Sequence, residues 1–257
     1  IDPSLDLFAE IEKLKKEKNA VLLAHYYQEA DIQDIADFIG DSLALSEKAA
    51  NTDADIIVFA GVYFMAETAK ILSTDKKVLI PDTEAGCSLA DSCKPKDFKK
   101  FLNKIENPYV VSYVNTSAEI KAMTDIVCTS SNAVEIIKNI PNDKNIVFGP
   151  DRNLGNYISR LLNRKMIIWD GACAVHENFS LEKILELKNQ NKEAKIISHP
   201  ECNKSILLVS DFIGSTSQML DFTKKDSSKI YIVVTESGIL HQMKKESEGT
   251  ITMKKIA

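Results

Sequence analysis

Five cysteines and four histidines carry much of the chemistry that this 257-residue chain can offer. The cysteines, at 87, 93, 128, 173 and 202, are widely and irregularly spaced in a long chain, which is not the pattern of a disulfide framework. They read as buried thiols, metal ligands or both. Two histidines, His25 and His199, each follow an apolar run and have a polar partner two residues on, Tyr27 and Glu201. An imidazole beside a phenol or a carboxylate in a partly dry cleft can pass protons. Glu201 is therefore the candidate base, with His199, His25 and Tyr27 as donors or shuttles. A core histidine is more often a hydrogen-bonded structural group, and only the matched placement of this pair argues against that. His176 and His241 lack such alignment and read as structural.

Hydroxyl side chains recur where helices are expected to begin, at Ser42, at Ser130 and at the pair Ser215-Thr216. Such residues are usually N-caps. Unpaired N–H groups and the helix dipole also make helix starts attractive to carboxylates and phosphate. Tyr113 and Asn115, on either side of Val114, add neutral donors, so the expected ligand is small and multiply anionic.

These residues fall into a pattern that occurs three times. The first copy has an apolar strand, Ala20 to Ala24, ending in His25, then Gly40-Asp41-Ser42 and a helix to about Asn51. A strand from Asp55 to Ala60, a helix from Val62 to Leu72 and a strand from Lys77 to Ile80 then lead to Cys87. The second copy runs in the same order from Tyr109–Val114 through Cys128-Thr129-Ser130, a helix over 132–140, strand 145–148, a helix over 154–162 and strand 165–169 to Cys173. The third runs from Lys195–Ser198 and His199-Pro200-Glu201-Cys202 through Gly214-Ser215-Thr216 and strand 229–234 to a helix over 239–245, where the pattern stops early. Strands alternating with helices at this spacing predict parallel sheets covered by helices. The expected architecture is α/β: three similar three-layer αβα domains with small parallel sheets, at 1–86, 87–172 and 173–257, arranged about a pseudo-threefold axis. Ligands of open α/β sheets bind at the carboxyl ends of the strands, which would bring the polar strand ends to one cleft.

Measured against the repeat, two cysteines are equivalent: Ser42 to Cys87 is 45 positions and Ser130 to Cys173 is 43. About 44 positions beyond Thr216 the repeat predicts a third cysteine near position 260, past Ala257. Three thiolates on a [4Fe-4S] cluster leave one iron free for a substrate oxygen, and thiolate softness favours iron–sulfur over magnesium or calcium. Buried apolar thiols remain the alternative for such a distant pair. Cys128 and Cys202 read as packing or pocket-wall residues, with Cys93 a minor option as ligand.

A net charge of -5 with scattered lysines gives no basic footprint for nucleic acid. No apolar run approaches the roughly 20 residues that span a bilayer, and residues 1–10 lack a signal-peptide pattern. A cytoplasmic protein is expected. Two other classes compete with an enzyme: a metal-free binding module for a small phosphorylated or dicarboxylate ligand, and a thiol redox sensor in which Cys87 and Cys173 pair.

Nearly the whole chain resembles the quinolinate synthase family of the [4Fe-4S] type. The resemblance is carried by Ala24-His25-Tyr26-Tyr27-Gln28, Asp34-Ile35-Ala36-Asp37, Gly40-Asp41-Ser42, Phe64-Met65-Ala66-Glu67 and Tyr113-Val114-Asn115. Cys128 to Ala133, Phe148-Gly149-Pro150-Asp151, His199-Pro200-Glu201-Cys202 and Gly214-Ser215-Thr216 complete it. It implies an enzyme of NAD biosynthesis that condenses iminoaspartate (iminosuccinate) with dihydroxyacetone phosphate, followed by phosphate loss, dehydration and cyclisation to quinolinate. L-aspartate oxidase or aspartate dehydrogenase would supply the iminoaspartate. It also implies binding by residues matching His25, Ser42, Tyr113, Val114, Asn115, Ser130, His199, Pro200, Glu201, Ser215 and Thr216, and a [4Fe-4S] cluster on Cys87 and Cys173 whose open iron is a Lewis acid. The departure is at the C-terminal end. Thr250 stands where the family has its third cysteine, and Met253-Lys254-Lys255 resembles a later segment about ten positions early; the favoured reading is a loop missing from the sequence.

Overall fold

The computed structural model describes residues 4–247 and 252–255. The chain forms two compact units, Ile1–Gly86 and Cys87–Ala257.

The first unit holds strands β1 (Ala20–His25), β2 (Phe38–Gly40), β3 (Ile56–Ala60) and β4 (Lys77–Leu79), all parallel, in the order β2-β1-β3-β4. The second unit holds two sheets with the same strand order. One comprises β5 (Pro108–Tyr113), β6 (Ile126–Cys128), β7 (Asn145–Gly149) and β8 (Ile167–Ile168); the other comprises β9 (Lys195–Ser198), β10 (Phe212–Ile213), β11 (Ile230–Val234) and β12 (Thr252–Lys255). Every pairing is parallel. The central strands are buried on both faces, which is why they read as mostly apolar runs.

Helices recur in matching places. Leu7–Glu17, Pro95–Leu102 and Leu181–Gln190 precede the first strands, and short helices Ala30–Ile35, Ala118–Lys121 and Lys204–Val209 follow them. Ser42–Asn51, Ala133–Asn139 and Thr216–Lys225 lead into the third strands, and Tyr63–Leu72, Arg152–Leu161 and Ile239–Glu246 lead out of them. Each sheet packs its own core: Leu22, Ala24 and Ala60; Cys93, Phe98, Val110 and Ile120; and Ile196, Cys202, Ile206, Ile232 and Val234. Cys93 and Cys202 are thus packing residues.

A carboxylate clamp repeats three times. The side chains of Asp37, Asp125 and Asp211 accept from the amides of Leu22, Val110 and Ile196 at 2.7, 2.7 and 2.8 Å, and their own amides donate back to the same residues. Each clamp pins the start of the second strand to the first, with a charged acceptor worth about 1.5–3 kcal/mol.

Three expectations change. The third sheet does not stop early, because Thr252–Lys255 pairs with β11 as its fourth strand. Asp41, not Ser42, caps Ser42–Asn51, accepting from the amides of Leu43 and Ala44. Ser130 lies in the turn before Asn132, the N-cap of Ala133–Asn139. Ser215 is a true cap, with Gln218 completing a capping box. Thr250 lies outside the described residues. Among the described residues no helix is long and apolar enough to cross a membrane.

Candidate active site

The carboxyl ends of β5 and β9 meet at Glu201. Tyr113, the last residue of β5, donates its hydroxyl to Glu201 Oε1 at 2.6 Å, and His176 Nδ1 lies 3.1 Å from Oε2. His199 Nδ1 is 3.6 Å from Oε1, and the rings of His176 and His199 stack at 4.9 Å between centroids. Glu201, His199 and His176 are each 2–3% exposed. Burial pushes the Glu201 acid up, but the charges of His199 and His176 and the hydrogen bonds from His176 and Tyr113 outweigh it and hold the carboxyl down at about 2. The anion is thereby fixed in a dry place.

His199 Nδ1 also lies 3.4 Å from the Glu201 amide nitrogen, and its Nε2 faces Ser130 Oγ at 3.2 Å. The turn carrying Ser130 is closed by Asn132 Oδ1, which accepts from the Thr129 amide at 2.7 Å. Next to it, Ser131 donates to Ser215 Oγ at 2.8 Å, so the Ser130 turn and the start of Thr216–Lys225 lie side by side. Beyond Tyr113, the Val114 amide bonds to the Cys128 carbonyl, and the buried Oδ1 of Asn115 makes no hydrogen bond. An unpaired buried acceptor is rare enough to mark a ligand position. Pro200 is buried between His199 and Glu201.

Cys87 and Cys173 occupy equivalent positions, each directly preceding a one-turn helix, Ser88–Asp91 and Ala174–Glu177. The residues that follow them touch, since the Ala174 amide donates to Ser88 Oγ at 3.2 Å. Cys173 Sγ is 3.2 Å from His176 Nδ1. Burial raises both thiols, and the Glu201 charge raises them further. They are free and half-buried. Cys128, at the buried end of β6, is pushed up to about 12 by burial.

In the first unit, His25 ends β1 and repeats the geometry of His199. The Tyr27 amide donates to His25 Nδ1 at 3.2 Å, and the two rings meet edge to face at 4.5 Å. Ser42 opens its helix half-buried.

The profile of the quinolinate synthetase A protein family matches residues 9–256. The chain belongs to that family. The quinolinate synthases of Microcystis aeruginosa and Synechocystis sp. are each 60% identical to it over 94% of this chain and 76% of their own length. That of Chloroherpeton thalassium is 57% identical over 95% and 76%. Among solved structures, an E-1-hydroxy-2-methyl-but-2-enyl-4-diphosphate reductase from Plasmodium falciparum is 15% identical with a TM-score of 0.36, over 97% of this chain and 86% of that one. Membership of the quinolinate synthetase A family favours the enzyme reading over a metal-free binding module.

Within this family member, four residues beyond those singled out from the sequence pack around Glu201 and His176. His176, which has no counterpart in the repeat and reads as structural from sequence alone, contacts Cys173 and Glu201, and its Nε2 lies 3.0 Å from Thr235 Oγ1. Its signal was its place three residues after Cys173, one helical turn on. Asn153 Nδ2 bonds to both Glu177 Oε1 (2.6 Å) and the Glu201 carbonyl (3.0 Å). Asp151 is fully buried; Oδ1 caps Leu154, while Oδ2 makes no hydrogen bond. Burial, then the Glu201 charge, raises its acid well above the usual carboxylate range. Thr235 and Asn153 had no signal, since only the packing of separate elements brings them here. His241 lies half-buried on Ile239–Glu246.

Proposed function

We propose that this chain condenses iminoaspartate with dihydroxyacetone phosphate to quinolinate in NAD biosynthesis, using a [4Fe-4S] cluster held by Cys87, Cys173 and a third cysteine that the repeat places near position 260. The observation that carries the reading is the buried Glu201 carboxylate, held by Tyr113 and His176 beside the thiol of Cys173. The donor set fits the cluster: two half-buried thiols, neither in a disulfide, on adjacent one-turn helices, would hold it through sulfur. When bound, the cluster supplies a Lewis-acid iron that polarises substrate oxygens.

The protein's own groups would do the rest. The unpaired Oδ1 of Asn115 and the hydroxyls of Tyr113, Ser130 and Thr216 would orient the dicarboxylate. The positive end of the Thr216–Lys225 helix dipole would favour its negative charge. His199 and Tyr113 hold protons at Nε2 and Oη next to a fixed anion, so Glu201 sets charge and orientation while they carry the protons. By the family resemblance, His25, Tyr27 and Ser42 are proposed as further functional residues, carried by the first unit. Iminoaspartate is unstable in water and would come from an enzyme that oxidises aspartate, an oxidase or a dehydrogenase, in the cytoplasm.

The test is anaerobic loading of full-length protein with iron and sulfide, followed by assay for quinolinate from the two substrates. Brown protein that forms quinolinate is expected. A cluster-loaded protein that forms none overturns the proposal.

A further inference from the structure

Cys173 Sγ, His176 Nδ1 and a Glu201 carboxylate oxygen lie within 4.8 Å of one another. The edges measured to Nδ1 are 3.2 Å from sulfur and 3.1 Å from Oε2. A tetrahedral ion with bonds of about 2.0–2.3 Å spaces its ligands by about 3.3–3.8 Å, so the two edges to Nδ1 need to open by only a few tenths of an ångström, and the sulfur-to-oxygen edge lies within 4.8 Å. Sulfur, nitrogen and oxygen together are zinc-class ligands; magnesium and calcium take oxygen alone.

Two of the three ligands are already supported from behind. His176 Nε2 faces Thr235 Oγ1 at 3.0 Å, which lets the ring proton sit there and frees the Nδ1 lone pair. Glu201 Oε1 is held by Tyr113, leaving Oε2 for an ion. Such partners, fixing tautomer and orientation, are a regular feature of built metal sites. The triad is not the cysteine set assigned to the cluster, since it excludes Cys87.

We propose that in the cluster-free protein Cys173, His176 and Glu201 bind one zinc-class divalent ion through three protein ligands, with a fourth position open. Binding releases to solvent the Cys173 thiol proton and the Nδ1 proton through which His176 holds Glu201, leaves the ring neutral with its remaining proton on Nε2, and changes no oxidation state. Because Cys173 is then engaged, the ion and the cluster exclude each other, and zinc blocks cluster assembly. The exclusion rests on the cluster reading above; the binding itself does not.

The experiment is anaerobic titration of cluster-free full-length protein with Co(II). One equivalent should give thiolate-to-cobalt charge transfer in the near ultraviolet and the intense visible bands of a four-coordinate ion, both erased by Zn(II). Cys173→Ser should abolish the charge transfer, and His176→Ala, or His176→Gln should the alanine variant misfold, should weaken binding at least about 100-fold. Thr235→Val should weaken it about 10–100-fold. Cys87→Ser should leave the spectrum intact while abolishing cluster loading. Loss of the spectrum in Cys87→Ser, its persistence in folded His176 variants, or only weak six-coordinate bands overturns the site. Equal rates of cluster loading with and without bound zinc overturn the exclusion. Quinolinate assay of the cluster-loaded parent separates the two proposals: activity without cobalt binding removes only the ion site, and cobalt binding without activity removes only the reaction.

Discussion

The Ser88 hydroxyl accepts the backbone N–H of Ala174 across 3.2 Å, joining the residues that directly follow Cys87 and Cys173. A single side-chain hydrogen bond thus ties together the starts of the two one-turn helices that present the thiols. Ser88→Ala removes it without touching either sulfur. The expected loss is about 0.5–1.5 kcal/mol of alignment, or up to about tenfold in cluster retention. Iron and sulfide per chain after anaerobic gel filtration should fall below the parent's yet stay above the level of Cys87→Ser. Parent-like retention would show that the contact does not hold the pair.

Tyr113→Phe deletes the hydroxyl that donates to Glu201 Oε1 and leaves the ring. Hydrogen bonds to a charged partner contribute about 1.5–3 kcal/mol, which translates to a drop of roughly 10–150-fold in kcat. If the hydroxyl works in the reaction rather than in folding, kcat falls far more than the urea midpoint moves. An unchanged kcat removes Tyr113 from the chemistry.

The aspartate clamps can be tested one at a time. Asp125→Ala and Asp211→Ala each strand a β-strand amide, at a cost of about 1–3 kcal/mol and a urea midpoint lower by roughly 0.5–1 M. Asparagine keeps an acceptor and should lose less. Equal losses for alanine and asparagine would mean that charge, not the hydrogen bond, matters.

Asp226 gives stability a defined pH dependence. It is paired with Lys195 and accepts from the Ser228 amide at 3.0 Å and Tyr231 Oη at 2.8 Å. Lys195 first, then Ser228, holds its acid below the usual carboxylate range. A group whose folded pKa is depressed stabilises above its unfolded value, about 4, and that stabilisation drains away as pH falls below it. Asp226→Asn should therefore unfold more easily than the parent at pH 7, and the gap should close in acid. A gap that is constant with pH contradicts the assignment.

The sequence made the centre of each sheet legible because parallel strands buried on both faces are mostly apolar along their length, as in β1 and β11. β12 escaped because Thr252–Lys255 is a short polar edge strand, which needs no apolar run. The histidine pair was legible as well: His25 and His199 stand at matching strand ends, and both accept an amide from two residues on. The clamps left a trace that went unread, since Leu22 to Asp37, Val110 to Asp125 and Ile196 to Asp211 are each 15 residues apart. Hydrophobic periodicity does not record it, because the clamp is polar. Thr235 was beyond reach, as its contact with His176 spans 59 residues.

Asn153 joins the two halves of the site in the second unit. Its amide nitrogen donates to Glu177 Oε1 at the end of the Cys173 helix and to the carbonyl of Glu201, while Arg152 holds Glu177 Oε2 at 2.8 Å. Replacing Asn153 with Asp turns a donor into an acceptor facing both a carboxylate and a carbonyl, which is worse than removing it. Asn153→Ala should lower kcat about tenfold by loosening both contacts, and Asn153→Asp should lower it further, with the deficit shrinking as pH falls and the new acid takes a proton. Asn153→Gln keeps the amide and should recover part of the loss. The check is kcat against pH for the three variants beside their urea midpoints. Activity losses that merely follow the midpoints, with no pH difference between Ala and Asp, would reduce Asn153 to a packing residue.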